Sequence, residues 1–335
     1  MHYSRREFGK LALSSLPVAA ALASNPARLF AATKPNSKIN GVQIGVISYS
    51  YRQMPQNGAL DDLKYAVENG INALELETVQ EEWAGAPKRP AMNRPGANAP
   101  QTSASRAAGP RQMSPEQQAA MKQYAEDLKK FRLSVPMSKY EELKKIYADA
   151  GCSIYAFKIT LNMAMEDAEF DYAFKAAKAC GASHLTMEMP DGKPELTKRI
   201  GEFASKYKMM MGYHAHLQAT PTTWDEAMAQ SPYNGINLDI GHYTAAGNTD
   251  TIEFIRKNHA RITSMHVKDR KNKEHGEANM PFGEGDTPIK EALQLMKKEG
   301  YKFPATIELE YPIPEGSDSV KEVAKCLSYC KAALA

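Results

Sequence analysis

From about residue 40 onward, short apolar runs alternate with segments whose apolar positions recur at helical spacing. The runs that predict strands read VQIGVISYS, INALELE, CSIYAFKI, SHLTMEM, KMMMGYHAH, INLDIGH, ITSMHVKD and ATIELEY. Because strands that alternate with helices pair in parallel, eight such units in about 290 residues predict a (β/α)8 TIM barrel. The alternative is an open, doubly wound sheet, which the absence of a GxGxxG motif after the first strand disfavours.

One long segment interrupts this alternation. Residues 78–113 are rich in Pro, Ala, Gly, Asn and Arg and have no periodicity, which predicts a flexible insertion. Ser114, Pro115 and Gln117 then predict a capping box at the start of a helix. The predicted organisation is one barrel over residues 40–335 with an insertion at about 78–113.

The N-terminus has a different character. The sequence SRREFGK, residues 4–10, precedes a modestly apolar stretch and resembles a twin-arginine export signal over residues 1–32. This resemblance implies a periplasmic protein; the alternative is a basic N-terminal tail. The apolar stretch is interrupted by serines and a proline, and no run reaches the roughly 18 residues of a membrane span.

The net charge bears on the class of binding partner, and the cysteine spacing bears on zinc binding. The formal net charge is +3, and four basic residues against one acidic residue in 1–32 account for all of it. The remaining chain is therefore neutral, which gives no indication of a nucleic-acid partner. The spacing of the four cysteines matches no zinc module, so we expect thiols packed in the core. The oligomeric state stays open, a homo-oligomer included.

Ionisable residues gather where the predicted strands end, which is where barrel active sites form. They are Glu75, Glu77, Lys158, Glu188, His214, His216, Asp239, His242, His266, Lys268, Asp269, Glu308 and Glu310. Converging carboxylates repel one another and take up protons unless a cation lies among them. Carboxylate and imidazole ligands without thiolate fit one divalent cation, with Mn²⁺, Co²⁺ or Mg²⁺ favoured, although Fe²⁺ and Zn²⁺ also fit.

The predicted metal ligands are Glu188, His214, Asp239, His266 and Glu308. Glu308 is preferred to Glu310, which has the same inward-facing parity, as the direct ligand. Predicted substrate contacts are Glu77, Lys158, His216, His242 and Lys268. Structural alternatives remain open: Glu75 and Glu77 as a solvated strand end, and Lys158 as an ion-pair partner. Gly283 and Gly285 would allow close approach of the backbone to a ligand, although a helix-entry loop explains them equally well.

The motifs GYHAH, NLDIGHY, SMHVKDR, FGEGDTP and GYKFPATIELE resemble the xylose-isomerase-like TIM-barrel superfamily. That superfamily includes sugar isomerases and epimerases, inosose dehydratase and endonuclease-IV-type enzymes. The resemblance implies a divalent cation held by Asp239, His266 and Glu308. Epimerase and isomerase members usually have a glutamate on the fifth strand, where this chain has His214. In this respect the chain is more similar to the inosose dehydratase branch.

The resemblance implies metal-assisted proton abstraction next to the carbonyl of a sugar or keto-sugar. The predicted export, and the lack of a dedicated phosphate site in the sequence, favour a non-phosphorylated substrate. Candidate catalytic residues are Glu188, Glu308 and His214. Reprotonation would give isomerisation or epimerisation, whereas loss of a β-substituent would give a lyase of the inosose dehydratase or 3-keto-glycoside-cleaving type. A non-catalytic sugar-binding barrel is a second alternative. An endonuclease is disfavoured because the second and third strands lack histidines and the chain is neutral.

Overall fold

A computed structural model describes residues 34–90 and 113–335 of the 335-residue chain. The predicted export signal and residues 91–112 of the predicted insertion lie outside the described residues. Residues 79–84, within the segment that shows no periodicity, form a short helix whose Glu81 is buried. Arg132 pairs with that carboxylate at 2.9 Å, and the side chain of Tyr172 donates a hydrogen bond to it at 3.0 Å.

Eight parallel strands close into a barrel, as the alternation of the sequence predicts. The strands are β1 (Lys38–Ile39), β2 (Val42–Ile47), β3 (Ala73–Glu77), β4 (Ser153–Lys158), β5 (His184–Glu188), β6 (Met210–His214), β7 (Asn234–Asp239), β8 (Ile262–Val267), β9 (Asp269–Arg270), β10 (Asn279–Met280) and β11 (Ala305–Ile307). The barrel order is β2, β3, β4, β5, β6, β7, β8, β11 and back to β2. Strand β1 pairs antiparallel with β2, and β9 and β10 form a separate antiparallel hairpin.

Helices surround the barrel and separate consecutive strands. They are α1 (Ala59–Asn69), α2 (Val79–Ala84), α3 (Pro115–Ser134), α4 (Ser138–Asp149), α5 (Asp167–Cys180), α6 (Pro194–Tyr207), α7 (Asp225–Gln230), α8 (Ile240–Ala245), α9 (Thr251–Asn258), α10 (Ile289–Glu299) and α11 (Ser319–Leu334). The predicted capping box is confirmed: Gln117 N–H donates to Ser114 Oγ, and Ser114 N–H donates to the Gln117 side chain. None of the helices in the described ranges is long and apolar enough to cross a membrane.

The core lies between the barrel and its helices, and residues with alternating parity on each strand fill the barrel interior. All four cysteines are buried and free, which confirms the expected core thiols. One predicted boundary differs at the end of β7. The strand stops at Asp239 because the carboxylate of that residue accepts a 2.6 Å hydrogen bond from His242 N–H and begins α8. His242 therefore lies on a helix, although the run INLDIGH reads as strand.

Candidate functional site

Four buried side chains meet at the carboxyl end of the barrel. His214 ends β6, Asp239 ends β7, His266 lies on β8 and Glu308 directly follows β11. One potential ligand atom from each side chain lies within 4.8 Å of the corresponding atoms of the other three. The parallel register explains this convergence, because Asp239 and His266 are paired across β7 and β8. These are four of the five ligands predicted from sequence.

The fifth predicted ligand, Glu188, is paired with His214 across β5 and β6 but is not one of the four side chains of the cluster, and it lies nearer to solvent, at the entrance to the site. Its side chain is 42% exposed, and Oε1 is 2.9 Å from Lys158 Nζ. Glu77 Oε1 lies 3.5 Å from the same ammonium, and His216 Nδ1 is 3.6 Å from Glu188 Oε2. Three of the predicted substrate contacts and one predicted catalytic carboxylate therefore line the entrance together.

His266 is clamped between two carboxylates. Its Nδ1 lies 2.9 Å from Glu308 and its Nε2 lies 2.8 Å from Glu75. Burial disfavours the imidazolium, but the two carboxylates raise the pKa of His266 to about 10. Burial likewise opposes ionisation of Glu75, yet His266 and the Thr186 hydroxyl lower its pKa to about 2. Sequence reasoning left Glu75 as a possible solvated strand end, and the structure buries it completely.

Lys268 contacts Glu308 as well, together with two further carboxylates. Its ammonium is 3.1 Å from Asp239, 3.0 Å from Glu308 and 2.7 Å from Glu310. Although burial disfavours the ammonium, these carboxylates raise the pKa of Lys268 above its usual range. Both glutamates contact the lysine, but only Glu308 also lies in the four-residue cluster, so the structure separates two residues that sequence parity could not distinguish.

His242, a predicted substrate contact, is buried between two cationic side chains. Its Nε2 lies 3.0 Å from Lys268 Nζ, and its Nδ1 lies 2.6 Å from a guanidinium nitrogen of Arg270. Burial and the neighbouring lysine lower the pKa of His242 well below its usual value, which keeps the ring neutral. His242 also packs edge-on against His214 and His216, at ring-centre distances of 5.8 Å and 4.5 Å.

A polar layer beneath the cluster holds His214. The Asn237 carbonyl oxygen lies 3.0 Å from His214 Nδ1, and the Asn237 amide nitrogen donates to Ser264 Oγ at 3.0 Å. This carbonyl oxygen can only accept, so it fixes the proton on Nδ1 and leaves the Nε2 lone pair of His214 available. Sequence analysis missed Asn237 because nothing in its local motif distinguishes it from an ordinary strand residue.

The glycines in the turn after β10 contact Asp269 of the protein itself rather than the entrance of the site. Gly283 and Gly285 donate their N–H groups to Asp269 Oδ2 at 2.7 Å and 3.0 Å. A Cβ on Gly285 would lie 2.0 Å from Asp269 Oδ1, so this close approach requires glycine. The structure therefore favours the helix-entry explanation of this loop.

The four-residue cluster has the chemistry of a divalent-cation site. Asp239 Oδ2 is buried and, among the described residues, receives no hydrogen bond of acceptable geometry; only the ion pair with Lys268 partly neutralises it. Six carboxylates gather at this end of the barrel, and they outnumber the cationic groups there even with Arg52 and Arg270 counted. They are Glu75, Glu77, Glu188, Asp239, Glu308 and Glu310. Two imidazoles and two carboxylates are a donor set that divalent transition metals and Mg²⁺ accept.

Replacing Asn237 tests whether its hydrogen bond fixes the tautomer of His214. In Asn237→Leu, His214 loses the acceptor that fixes its tautomer, and we expect Mn²⁺ affinity to fall by about 10- to 100-fold. Asn237→Asp retains an acceptor at the same place and should bind Mn²⁺ more tightly than the leucine variant. Isothermal titration calorimetry of the two purified variants measures the difference. Equal affinities would show that Asn237 does not position this ring.

The chain belongs to the xylose isomerase-like TIM barrel family, whose model matches residues 119–330. Among curated proteins, it is 32% identical over 105 residues to L-ribulose-5-phosphate 3-epimerase UlaE from Escherichia coli. That match covers 31% of this chain and 35% of the relative, so the chain spans about a third of the length of the curated relatives it matches. Solved barrels share the fold at lower sequence identity.

Two of these solved structures are named as dehydratases. The probable 3-DHS dehydratase AsbF from Bacillus anthracis superposes with a TM-score of 0.57 and 13% identity, covering 86% of this chain and 98% of that one. Mannonate dehydratase from Streptococcus suis serotype 2 also gives a TM-score of 0.57, with 11% identity over 88% of this chain and 92% of that one. At these identities the two solved structures share the fold with this chain.

Proposed function

We propose that this protein is a divalent-metal-dependent enzyme that removes a proton next to the carbonyl of a sugar or keto-sugar, in the manner of a sugar isomerase or epimerase. The observation that carries the proposal is the buried cluster of His214, Asp239, His266 and Glu308, whose ligand atoms lie within 4.8 Å of one another. The names of the epimerase and dehydratase neighbours support the same reaction class.

In this proposal the four cluster side chains hold the ion. When bound, the ion supplies a Lewis acid that polarises a substrate carbonyl and makes the neighbouring C–H more acidic. Glu75 would keep the proton on Nε2 of His266, and the ion would replace the second proton, which the pKa of about 10 otherwise holds on Nδ1, the nitrogen that faces Glu308. Asn237 gives His214 the matching tautomer, with Nε2 as the ligand atom.

Glu188 is the preferred base. It stands at the entrance, outside the four-residue cluster, so its carboxylate remains available to a substrate carbon. Although burial opposes ionisation, His214 when protonated and the Lys158 ammonium lower the pKa of Glu188 to about 2, and Lys158 is the cation that remains beside the carboxylate at neutral pH. Lys158 and His216 lie beside it and are positioned to donate hydrogen bonds to sugar hydroxyls or to the oxygen that receives charge.

A non-phosphorylated substrate fits the charge of the entrance. The carboxylates Glu77, Glu188 and Glu310 would repel a phosphate, and Lys158 and Lys268 are already paired with carboxylates. We also propose export by the twin-arginine route, on the basis of the arginine pair at residues 5–6; phosphorylated sugars are then a poor match for the compartment. The proposed substrate class therefore differs from the sugar phosphate in the name of the E. coli relative.

The test is exchange of the substrate α-proton. The Mn²⁺-loaded protein is incubated in D₂O with ketoses, inososes and 3-keto-glycosides, and NMR follows deuterium at the carbon next to the carbonyl. We expect deuterium in at least one substrate, and we expect Glu188→Gln to reduce the rate by about 100-fold or more while Mn²⁺ binding persists.

Glu195→Gln, an exposed carboxylate at the start of α6, is the matched control and should exchange at the wild-type rate. A protein that binds Mn²⁺ and a sugar but incorporates no deuterium would be a sugar-binding barrel. That outcome would refute the proposed enzyme.

A further inference from the structure

A chain of hydrogen bonds crosses the interior of the barrel beneath the four-residue cluster. Its first link is the bond from the Asn237 amide nitrogen to Ser264 Oγ, at 3.0 Å. Ser264 Oγ lies 3.1 Å from His184 Nε2, and His184 Nδ1 lies 2.9 Å from Ser183 Oγ. Ser183 directly precedes β5, and its hydroxyl donates to the Tyr155 carbonyl at 3.0 Å. The chain therefore runs from the carboxyl end of the barrel towards the amino end.

This chain has one direction, which is set at its far end. The Tyr155 carbonyl can only accept, so the single hydrogen of Ser183 points to it and the Ser183 oxygen accepts from His184 Nδ1–H. Burial lowers the pKa of His184 to about 4, so the ring is neutral near pH 7 and Nε2 carries a lone pair. That lone pair accepts from the Ser264 hydroxyl, whose oxygen in turn accepts from the Asn237 amide.

The direction matters because an asparagine amide has nearly the same shape in both of its orientations. With its oxygen towards His214, Asn237 keeps the ring proton on Nδ1. The reversed amide would donate to Nδ1 and move the ring proton of His214 to Nε2. It would also turn its oxygen towards Ser264, which could then no longer donate to His184. The amide of Asn237 therefore cannot reverse unless the rest of the chain reverses with it.

Burial makes this coupling strong. Asn237 and Ser264 have no exposed surface, and His184 is 4% exposed. A broken link would leave a polar atom without a partner away from bulk water, which costs more than the loss of an exposed hydrogen bond. The arrangement in which every member has a partner is therefore the preferred one.

A neighbouring contact does not decide the orientation of Asn237. Its amide nitrogen lies 3.4 Å from His266 Nε2, but that ring nitrogen lies closer to a carboxylate oxygen of Glu75, at 2.8 Å. The carboxylate takes the Nε2 proton, since a charged acceptor forms the stronger hydrogen bond. Ser264 is therefore the acceptor that holds the Asn237 amide nitrogen.

We propose that Ser264 and His184 are positioning residues for His214. Acting through Asn237, they keep the proton of the His214 ring on Nδ1 and the lone pair on Nε2. Within the described residues, neither side chain is hydrogen-bonded to a side chain of the four-residue cluster. The further consequence, that this lone pair binds a divalent cation, rests on the proposed function, whereas the tautomer itself does not.

The test is the tautomer of His214 in the metal-free protein. Long-range ¹H–¹⁵N NMR of protein labelled with ¹⁵N-histidine, at about pH 8, distinguishes a protonated ring nitrogen from one with a lone pair, and His214→Gln assigns the signals. In the wild type we expect the proton on Nδ1. In Ser264→Ala the Asn237 amide loses its acceptor, and we expect the ratio of the Nδ1–H to the Nε2–H tautomer to fall by about fivefold.

His184→Phe is a second variant, because it keeps an aromatic ring in the core but removes the acceptor of the Ser264 hydroxyl. It should shift the tautomer of His214 in the same direction as Ser264→Ala. Thr263→Val is the matched control: it removes a buried hydroxyl from the same strand, β8, where Thr263 Oγ1 donates to the Ile236 carbonyl at 3.1 Å. This variant should retain the tautomer of the wild type.

Calorimetric titration with Mn²⁺ tests the consequence for the metal. We expect Ser264→Ala and His184→Phe to bind Mn²⁺ about 3- to 10-fold more weakly than the wild type, a smaller loss than for Asn237→Leu, and Thr263→Val to bind like the wild type. An unchanged tautomer in folded Ser264→Ala and His184→Phe would overturn the positioning proposal, even if both variants were less stable. The expected tautomer shifts in a protein whose wild type binds no divalent ion would instead uphold the positioning role and refute the proposed function.

Discussion

Replacing Asp239 by alanine is expected to lower Mn²⁺ affinity by about 1,000-fold or more, so that no bound ion remains at micromolar concentrations. In the proposed metal site Asp239 would provide one of two carboxylate ligands, and because it is buried, water would replace the lost oxygen poorly. Burial raises the pKa of Asp239 above its usual value despite Lys268, which means that this carboxylate is costly in the absence of a further cation. A bound divalent ion would offset that cost.

The measurement is calorimetric titration of metal-free protein with Mn²⁺, repeated with Co²⁺ and Zn²⁺. Asp127→Ala, which removes an exposed carboxylate on α3, is the matched control and should bind like the wild type. Loss of Asp239 also removes one of the three carboxylate partners of Lys268, so circular dichroism should confirm that the alanine variant is folded. Wild-type affinity in a folded Asp239→Ala protein would exclude this cluster as the metal site, and the proposed function with it.

The barrel was predictable because its signal is repeated along the chain. Each strand is a short apolar run, and each helix carries its own apolar face, so eight weak local patterns support a single global arrangement. Boundaries were less predictable. The apolar Ile240 continues the pattern of β7, but a side-chain hydrogen bond from His242 N–H to Asp239 starts a helix there, and periodicity does not register such a bond.

The sequence predicted which four residues form the cluster but not the hydrogen bonds and ion pairs that they make. Strand ends place His214, Asp239, His266 and Glu308 at one end of any (β/α)8 barrel, and the structure brings these four together. The sequence did not predict how deeply each side chain lies: Glu188 ends β5 and Glu308 directly follows β11, yet the first is partly exposed at the entrance and the second is buried. Partners from distant elements, such as Glu75 with His266, depend on closure of the barrel.

Asp62 should make the folded protein less stable as the pH rises. This residue lies in the first turn of α1, is completely buried, and neither of its carboxylate oxygens has a hydrogen-bond partner among the described residues. Burial, with a smaller contribution from the neighbouring Asp61, raises the pKa of Asp62 to about 8. In an unfolded chain the same carboxyl has a pKa of about 3.9. Between these two values the folded state binds more protons than the unfolded state, so the free energy of unfolding falls with increasing pH.

At 1.36 kcal/mol for each pKa unit, the Asp62 carboxyl contributes a loss of about 5 kcal/mol between pH 4 and pH 8, with no further loss above that range. Asp62→Asn cannot ionise, so its free energy of unfolding, measured by urea denaturation, should exceed that of the wild type increasingly from pH 4 to pH 8. Contributions from groups such as His266 are common to both proteins and cancel in the difference. Glu68→Gln, on the exposed side of the same helix, should show no pH-dependent difference. A constant difference between Asp62→Asn and the wild type across this range would mean that Asp62 ionises in the folded protein as it does in the unfolded chain.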